Sequence, residues 1–360
     1  MTVCYFGTYN PDYSRNRVLR KGLALNGVKV LECNSRQPGL QKYIALWRQS
    51  RTLRGHCDVL LVGFPGATAM PLAWVVGKRL GIPVVFDAFT SQYDAMVNAR
   101  QQARPGSLRA GYYRWVDWLS CHLADLVLLD TKAHADYLAH LVHLPREKFH
   151  HLYVSTDIAD ITPAPVPPKP AGTFAVHFHG HYTAFQGVDV IVRAAKLLEH
   201  QGVHFNLIGR GQEYPRVWAL ARDLQVTNVR FIADVDYATL AGYIIQSDLA
   251  LGVFGGGNPR PVIPNKIVEA LALGKPVLTG HLPAMDELLT DDRNVVYCRL
   301  DDPKDLSERI LQLQQDASLR QRVAAAGLEL YRQRLMSTVQ GQALRELIIK
   351  LRLPSHAPPV

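Results

Sequence analysis

Short apolar runs alternate with helix-period segments along almost the whole chain, and the rhythm is broken once, at ITPAPVPPKPAG (residues 161–172). Five prolines in twelve positions exclude helix and sheet there, so the stretch reads as a stiff linker. Before it, strands are expected at 3–7, 28–32, 59–62, 84–87 and 126–129, with helices at 15–26, 40–53, 72–80, 108–123 and 134–142. After it, strands at 174–178, 205–208 and 229–232 alternate with helices at 188–201 and 214–224. Strands that alternate with helices form parallel sheets covered on both faces. The expected fold class is therefore α/β, with two doubly wound Rossmann-like domains facing each other across a cleft. Ligands of such sheets bind beyond the carboxyl ends of the strands. The expected division is 1–160, linker 161–172, 173–335, and a C-terminal helix and tail, 336–360, that return toward the first domain.

Within the second half, SDLALGVFGGGNPRPVIPNKIVEALALGKPVLTG (residues 247–280) carries the strongest chemical signal. An apolar run ends at Gly255, Gly256 and Gly257. A helix then opens at Pro264 and closes at Gly274, and a second apolar run follows. Backbone N–H groups of a side-chain-free loop and a helix N-terminus attract phosphate. Lys266 and Glu269 stand three residues apart, so they share one helix face. A cation beside a carboxylate suits a nucleotide, with Lys266 on phosphate and Glu269 accepting from ribose hydroxyls.

Other constellations are read with their structural alternatives. Gly209-Arg210-Gly211 is a second glycine turn after a strand. Gly7 and Thr8 end the first strand, and Arg15 opens the next helix, an arrangement that favours an anion. Asp87 ends a buried strand, with Ser91 in its loop. Asp87 could orient or deprotonate an acceptor hydroxyl, and either residue could instead cap a helix. His177, His179 and His181 alternate, but no carboxylate lies nearby in sequence, and no metal site is expected. Asp236 reads as the N-cap of a helix rather than as part of a metal-binding Asp-x-Asp pair.

Composition narrows the partners. Net charge is +9, and residues 1–160 hold 19 Lys and Arg against 12 Asp and Glu. Such asymmetry points to an anionic partner: nucleic acid, a lipid surface or a phosphorylated acceptor. Arg48, Arg51 and Arg54 beside Trp47 offer a membrane-facing patch, with a solvated helix face as the alternative. Five scattered cysteines form neither a disulfide framework nor a zinc pattern, which fits a cytoplasmic protein, at the inner face of the membrane if its acceptor is a lipid. The uncharged stretch 59–77 is interrupted by Pro65 and Pro71 and reads as strand, turn and helix rather than a membrane span.

Taken together, VHFHGHYTAFQGVDVIVRAAKLL, NLIGRGQEY, SDLALGVF and VIPNKIVEALALGKPVL resemble the family 4 glycosyltransferases of the GT-B fold. PVVFDAFTSQYD and ADLVLLDTKAHADYL are similar to a bacterial branch of that family. The resemblance implies retaining, metal-independent transfer of a hexose from a nucleotide diphosphate sugar to an anionic glycan or a phospholipid-linked acceptor rather than to nucleic acid, with UDP or GDP as the nucleotide and no cofactor. Glu269 matches the second glutamate of the family's E-x7-E pattern, and the first would fall at Pro261. The family's diphosphate-binding Arg and Lys match His181 and Gln186. The expected donor-binding set is therefore Gly180, His181, Gly209, Arg210, Gly255, Gly256, Gly257, Arg260, Lys266, Ile267 and Glu269. Lys266 and Arg260, helped by glycine-loop N–H groups, take over the missing charge. Asp87 and Lys266 are the expected catalytic residues, and Gly7, Thr8, Arg15 and Ser91 the acceptor side. Two other readings stay open: a sugar-nucleotide epimerase of similar architecture, and a non-catalytic nucleotide-sugar-binding partner in a glycan assembly complex.

Overall fold

The computed structural model describes residues 1–256 and 260–352. Gly257, one of the expected donor-loop residues, lies outside the described residues. The chain divides into two compact units: residues 1–155 joined by the segment from 336 onward, and residues 156–335. The Pro-rich stretch 161–172 thus belongs to the second unit. It has no helix or strand, and the Ala164 N–H donates to the Ala238 carbonyl at 3.0 Å.

The first unit runs β1 (Thr2–Gly7), α1 (Ser14–Leu25), β2 (Lys29–Asn34), α2 (Gln41–Ser50), β3 (Val59–Val62), α3 (Met70–Leu80), β4 (Val84–Phe89), α4 (Leu108–Leu123), β5 (Leu126–Leu129), α5 (Lys132–Val142) and β6 (Phe149–His151). Its strands form a six-stranded sheet in the order β2-β1-β3-β4-β5-β6, with every neighbouring pair parallel. Side chains alternate across the pleat, so Cys4 and Phe6 enter one apolar core and Val3 and Tyr5 the other. Burial on both faces explains why β1, β3 and β5 read as unbroken apolar runs rather than alternating ones.

The second unit runs β7 (Phe174–His179), α6 (Val188–Leu197), β8 (Val203–Ile208), α7 (Tyr214–Asp223), β9 (Val229–Ile232), α8 (Tyr237–Gln246), β10 (Leu249–Leu251), α9 (Asn265–Ala272), β11 (Val277–Gly280), β12 (Val296–Cys298), α10 (Pro303–Gln315) and α11 (Ala317–Leu330). Its sheet has the order β12-β11-β10-β7-β8-β9 and is again parallel. Alternation along β7 sends Val176 and Phe178 into the main core of this unit. It turns His177 and His179 to the opposite face. Asp236 caps α8, accepting from the Thr239 N–H at 2.8 Å.

The final helix, α12 (Ser337–Arg352), belongs to the first unit. Leu344 and Ile348 of α12 join Leu19 and Leu23 of α1 in one apolar core. The two helices cross almost backbone to backbone at paired glycines. A Cβ at Gly22 would stand 2.2 Å from the Ser337 carbonyl oxygen, and one at Gly341 would stand 2.1 Å from the Gly22 carbonyl carbon. Asn26 Nδ2 locks the crossing by donating to the Thr338 carbonyl at 2.9 Å.

Candidate functional site

In the second unit, β10 leads through the glycine loop into α9, and no side chain caps the helix. Its first turn therefore presents backbone N–H groups and the positive end of the helix dipole without an internal acceptor side chain. Lys266 and Ile267 follow at once. Ile267 is fully buried and anchors the turn through its N–H to the Pro264 carbonyl at 3.1 Å. Lys266 is 6% exposed. Its ammonium lies 3.7 Å from the centre of the Phe178 ring and donates to Gln186 Oε1. Among the described residues it makes no salt bridge. Burial holds the Lys266 ammonium well below the usual lysine range, and the charge of Glu269 offsets this only in part. Gly180, at φ +148°, makes room for it: a Cβ there would stand 2.8 Å from Lys266 Nζ. Lysine and glycine turn thus occupy one corner, beyond the carboxyl end of β7.

Glu269, one turn further along α9, is also buried. Its Oε2 meets His179 Nε2 at 2.7 Å, and its Oε1 accepts from the Tyr237 hydroxyl at 2.8 Å. His179 Nδ1 meets His177 Nε2 at 2.9 Å, and the Tyr237 oxygen meets Thr156 Oγ1 at 2.7 Å. His179 donates through Nε2 to the carboxylate, and its Nδ1 shares a hydrogen bond with His177 Nε2. Tyr237 spends its proton on Glu269, so Thr156 donates to Tyr237. The carboxylate thus meets a donor on each oxygen. Burial of Glu269 works to raise its pKa, but the bonds from His179 and Tyr237 and the charge of Lys266 prevail and hold it below the ordinary value. Burial also keeps His177 neutral, aided by His179 and Lys266. The carboxylate keeps acceptor capacity on both oxygens for an incoming pair of hydroxyls.

This network gives Glu269 a structural role beside its candidate one as a ribose ligand. Glu269→Gln is expected to lower nucleotide affinity and also to cost about 1.5–3 kcal/mol of stability, because an amide can accept from only one of the two donors. The carboxylate's folded pKa lies below its unfolded value. Its contribution is therefore present above about pH 4.3 and is lost as pH falls through the folded value. Acid unfolding of the wild type and Glu269→Gln should converge at low pH. Parallel acid limbs would contradict the assignment.

The remaining expected donor residues are dispersed around this corner's strands and loops. His181 and Arg210 are exposed, and Arg210 stacks on Tyr214 at 5.0 Å. Gly209 follows β8, with its N–H bound to the Ile232 carbonyl at 3.0 Å. Arg260 lies over the Phe185 ring at 5.4 Å. The glycine loop departs from expectation. The Gly255 N–H is taken by the Phe185 carbonyl at 3.2 Å and the Gly256 N–H by Asp301 Oδ1 at 2.9 Å. Neither is open to a phosphate. These glycines serve close packing instead, since a Cβ at Gly255 would fall 2.1 Å from the Ala184 carbonyl oxygen.

The first unit corrects three expectations. Arg15 and Asp87 do not face a ligand, because they bind each other. Arg15 Nη2 lies 2.9 Å and Nε 3.1–3.2 Å from the Asp87 carboxylate, and Nη1 donates to the Leu152 carbonyl at 2.7 Å. Arg15 is 4% and Asp87 0% exposed. Burial alone would lower the Arg15 pKa, and Asp87 more than reverses this. The pair is a buried brace between α1, β4 and the chain after β6, so neither residue is a free anion receptor or base. Ser91 is likewise consumed: its hydroxyl donates to Asp117 Oδ2 at 2.7 Å and accepts from the Asp94 N–H at 3.0 Å. Asp117 also accepts from the N–H groups of Gln92 and Tyr93, and burial raises its pKa to about 6. The capping alternative for Ser91 is the one realised. Gly7 ends β1 with its carbonyl bound to the Ser35 N–H at 3.2 Å.

Thr8 fares differently. It lines a cavity of about 310 Å³ with Pro65, Thr68, Gln92, Tyr112 and Tyr113, beyond the carboxyl ends of β1, β3 and β4. The sequence reading missed Gln92 and the tyrosines of α4, although their position after a strand end and on an adjoining helix was legible. His177 and His179 bond to each other and His181 is exposed; among the described residues no cluster of three His, Cys, Asp or Glu is arranged to hold a metal ion.

Residues 173–316, which hold the whole α9 corner, match the glycosyl transferases group 1 family. LpsD of Rhizobium meliloti (strain 1021), a lipopolysaccharide core biosynthesis glycosyltransferase, is 25% identical over 331 residues, covering 88% of this chain and 82% of LpsD. An uncharacterised glycosyltransferase of Methanocaldococcus jannaschii is 23% identical over 159 residues, and the match spans 42% of this chain and only 41% of the archaeal protein. Among solved structures, HepE of Anabaena in complex with UDP and glucose superposes with a TM-score of 0.73 at 15% identity, over 97% of this chain and all of HepE. The fold is thus that of GT-B glycosyltransferases, and the second unit carries a glycosyl transferases group 1 domain.

Proposed function

We propose that this protein is a retaining, metal-independent glycosyltransferase that moves a hexose from a nucleoside diphosphate sugar to a glycan or lipid-linked acceptor. The observation that carries the reading is Lys266: a buried amine that makes no salt bridge among the described residues, at an uncapped helix N-terminus, one turn from a carboxylate rich in donors. A nucleoside diphosphate supplies what each part lacks. Its phosphates take the Lys266 charge and the first-turn N–H groups of α9 other than that of Ile267, which the Pro264 carbonyl holds. Its ribose hydroxyls take the free lone pairs of Glu269. HepE was solved with UDP and glucose, which supports a UDP sugar, and the likeness to LpsD supports an acceptor built on a lipid or glycan core. The five cysteines are all free, in keeping with work in the reducing cytoplasm.

In the proposed step the bond between the anomeric carbon and the phosphate oxygen breaks, and the acceptor oxygen bonds to the same face of the sugar. The acceptor's proton passes to the departing phosphate. The barrier is the charge developing on that phosphate, and a preorganised cation in a site that excludes water is the strongest lever on it. No protein nucleophile is required, which accords with Asp87 and Asp117 both being spent on structural bonds.

A thermal-shift screen against UDP, GDP, ADP and dTDP tests the donor site. At about one hundred times Kd the matching nucleotide should add about 2.7 kcal/mol, or some degrees in Tm. No shift with any of the four would sink the assignment. Incubation with the matching nucleotide sugar alone separates transfer from epimerisation, because an altered sugar without acceptor would favour the epimerase.

A further inference from the structure

The exposed face of α4 was singled out by neither the sequence patterns nor the donor chemistry. Ser107 caps the helix, accepting from the Ala110 N–H at 3.2 Å, so α4 begins at Leu108. Leu108 is 97% exposed, Tyr112 52%, Trp115 53% and Trp118 41%. Leu108, Tyr112, Trp115 and His122 recur at helical spacing and form one stripe, with Trp118 beside it and stacked on His122 at 4.2 Å. Val116, Ser120 and Cys121 on the other side are buried. The helix is therefore amphipathic in reverse at its outer face, with its largest aromatic surfaces in water. Such a patch on a folded protein marks a docking surface.

Charge identifies what docks. Between Asp94 and Asp117 the chain carries Arg100, Arg104, Arg109 and Arg114 and no acidic residue. All four arginines are exposed. Arg109 and Arg114 flank the aromatic stripe on its two sides. Asp117 is buried and bound to Ser91, Gln92 and Tyr93, so it does not neutralise the face. Indole and phenol rings with an apolar tip residue, rimmed by arginines, match the boundary between lipid headgroups and acyl chains. The α2 region exposes Leu40 and Ile44 beside Arg48, Arg51 and Arg54 but lacks the exposed indoles, because Trp47 is half-buried under Arg79, whose guanidinium lies 5.0 Å from the Trp47 ring. Among the described residues no helix is long and apolar enough to cross a membrane, so contact through α4 would lie in the plane of the surface.

We propose that α4 docks this protein on an anionic lipid bilayer, with Leu108, Tyr112, Trp115 and Trp118 entering the interface and Arg100, Arg104, Arg109 and Arg114 bound to acidic headgroups. Tyr112 also lines the 310 Å³ cavity shared with Thr8 and Gln92. A docked α4 would hold that cavity at the lipid surface, where an acceptor anchored in the bilayer could enter without leaving it. The docking stands on the surface of α4 alone and does not depend on the transfer reaction.

The test is sedimentation of the full chain with vesicles of phosphatidylglycerol and phosphatidylcholine, against vesicles of phosphatidylcholine alone. Expected are binding to the anionic vesicles, loss at high salt, and a blue shift of tryptophan emission. Arg109→Ala with Arg114→Ala should weaken partitioning by about tenfold or more. Leu108→Ser with Trp115→Ser should abolish it and the blue shift. Both double variants should keep the wild-type Tm and nucleotide response, since all four side chains are solvent-exposed. Arg51→Ala with Arg54→Ala should bind almost as wild type does. No binding to anionic vesicles, undiminished binding by both α4 variants, or loss confined to the Arg51/Arg54 variant would each overturn the proposal. So would a dimer that Leu108→Ser with Trp115→Ser dissolves, in the absence of vesicle binding. A nucleotide response without vesicle binding rejects the docking alone, and the converse rejects the donor site alone.

Discussion

Asp87→Ala is expected to destabilise the first unit by about 3–5 kcal/mol, most of the stability such a domain has. The substitution strands the Arg15 guanidinium, 4% exposed, without its carboxylate and with only the Leu152 and Tyr153 carbonyls to answer it. An unpaired buried charge costs far more than the pair itself contributes. Arg15→Met combined with Asp87→Leu should therefore recover much of the loss, leaving about 1 kcal/mol for the orphaned Leu152 carbonyl. Urea unfolding of the single and double variants measures this directly. Asp87→Ala protein that melts like the wild type yet has lost transfer activity would restore Asp87 as a chemical group and refute the brace.

Lys266→Met should have opposite effects on turnover and stability. Turnover should fall by about two to three orders of magnitude, the usual consequence of removing one preorganised contact to developing charge. The ligand-free protein should melt a few degrees higher, because methionine keeps the packing over Phe178 without burying an amine. The pH dependence has a defined sign. The folded pKa of Lys266 is lowered, so the unfolded chain binds more protons between that value and about 10.4. Through that window the wild type gains stability as pH rises. Lys266→Met should lose that slope. Within that window nucleotide binding should draw a proton onto the amine, and calorimetry in buffers of different ionisation enthalpy would report the uptake. A variant with wild-type turnover, or one that melts lower than the wild type, would contradict this account.

The α/β rhythm, the α9 segment and the return of the last helix were legible because each depends on local pattern. Apolar runs of four residues located β3 and β5, the apolar start of PVLTG located β11, and Pro264 and Gly274 bracketed α9. The three-residue strands β6 and β12 were missed because FHH and VYC are too short for a period to register. At the candidate site, the shared helix face of Lys266 and Glu269 was legible from their spacing. Glu269's partners were not, since His179 and Tyr237 come from distant segments that only the folded unit brings together. Arg15 and Asp87 misled for the same reason. Seventy-two residues separate them, and no local pattern reveals that two opposite charges at a sheet edge face each other rather than a substrate.

The glycine crossing of α1 and α12 also sets an order in time. Leu19 and Leu23 are covered by Leu344 and Ile348, yet residues 156–335 must be made in between. At roughly 5–20 residues per second that insert takes about 10–40 s to synthesise. Throughout that interval the second unit can fold as a finished body, while the first waits at the ribosome with one apolar helix face bare. Chains halted before Leu344 would leave the first unit open to aggregation and proteolysis however well the donor domain had formed.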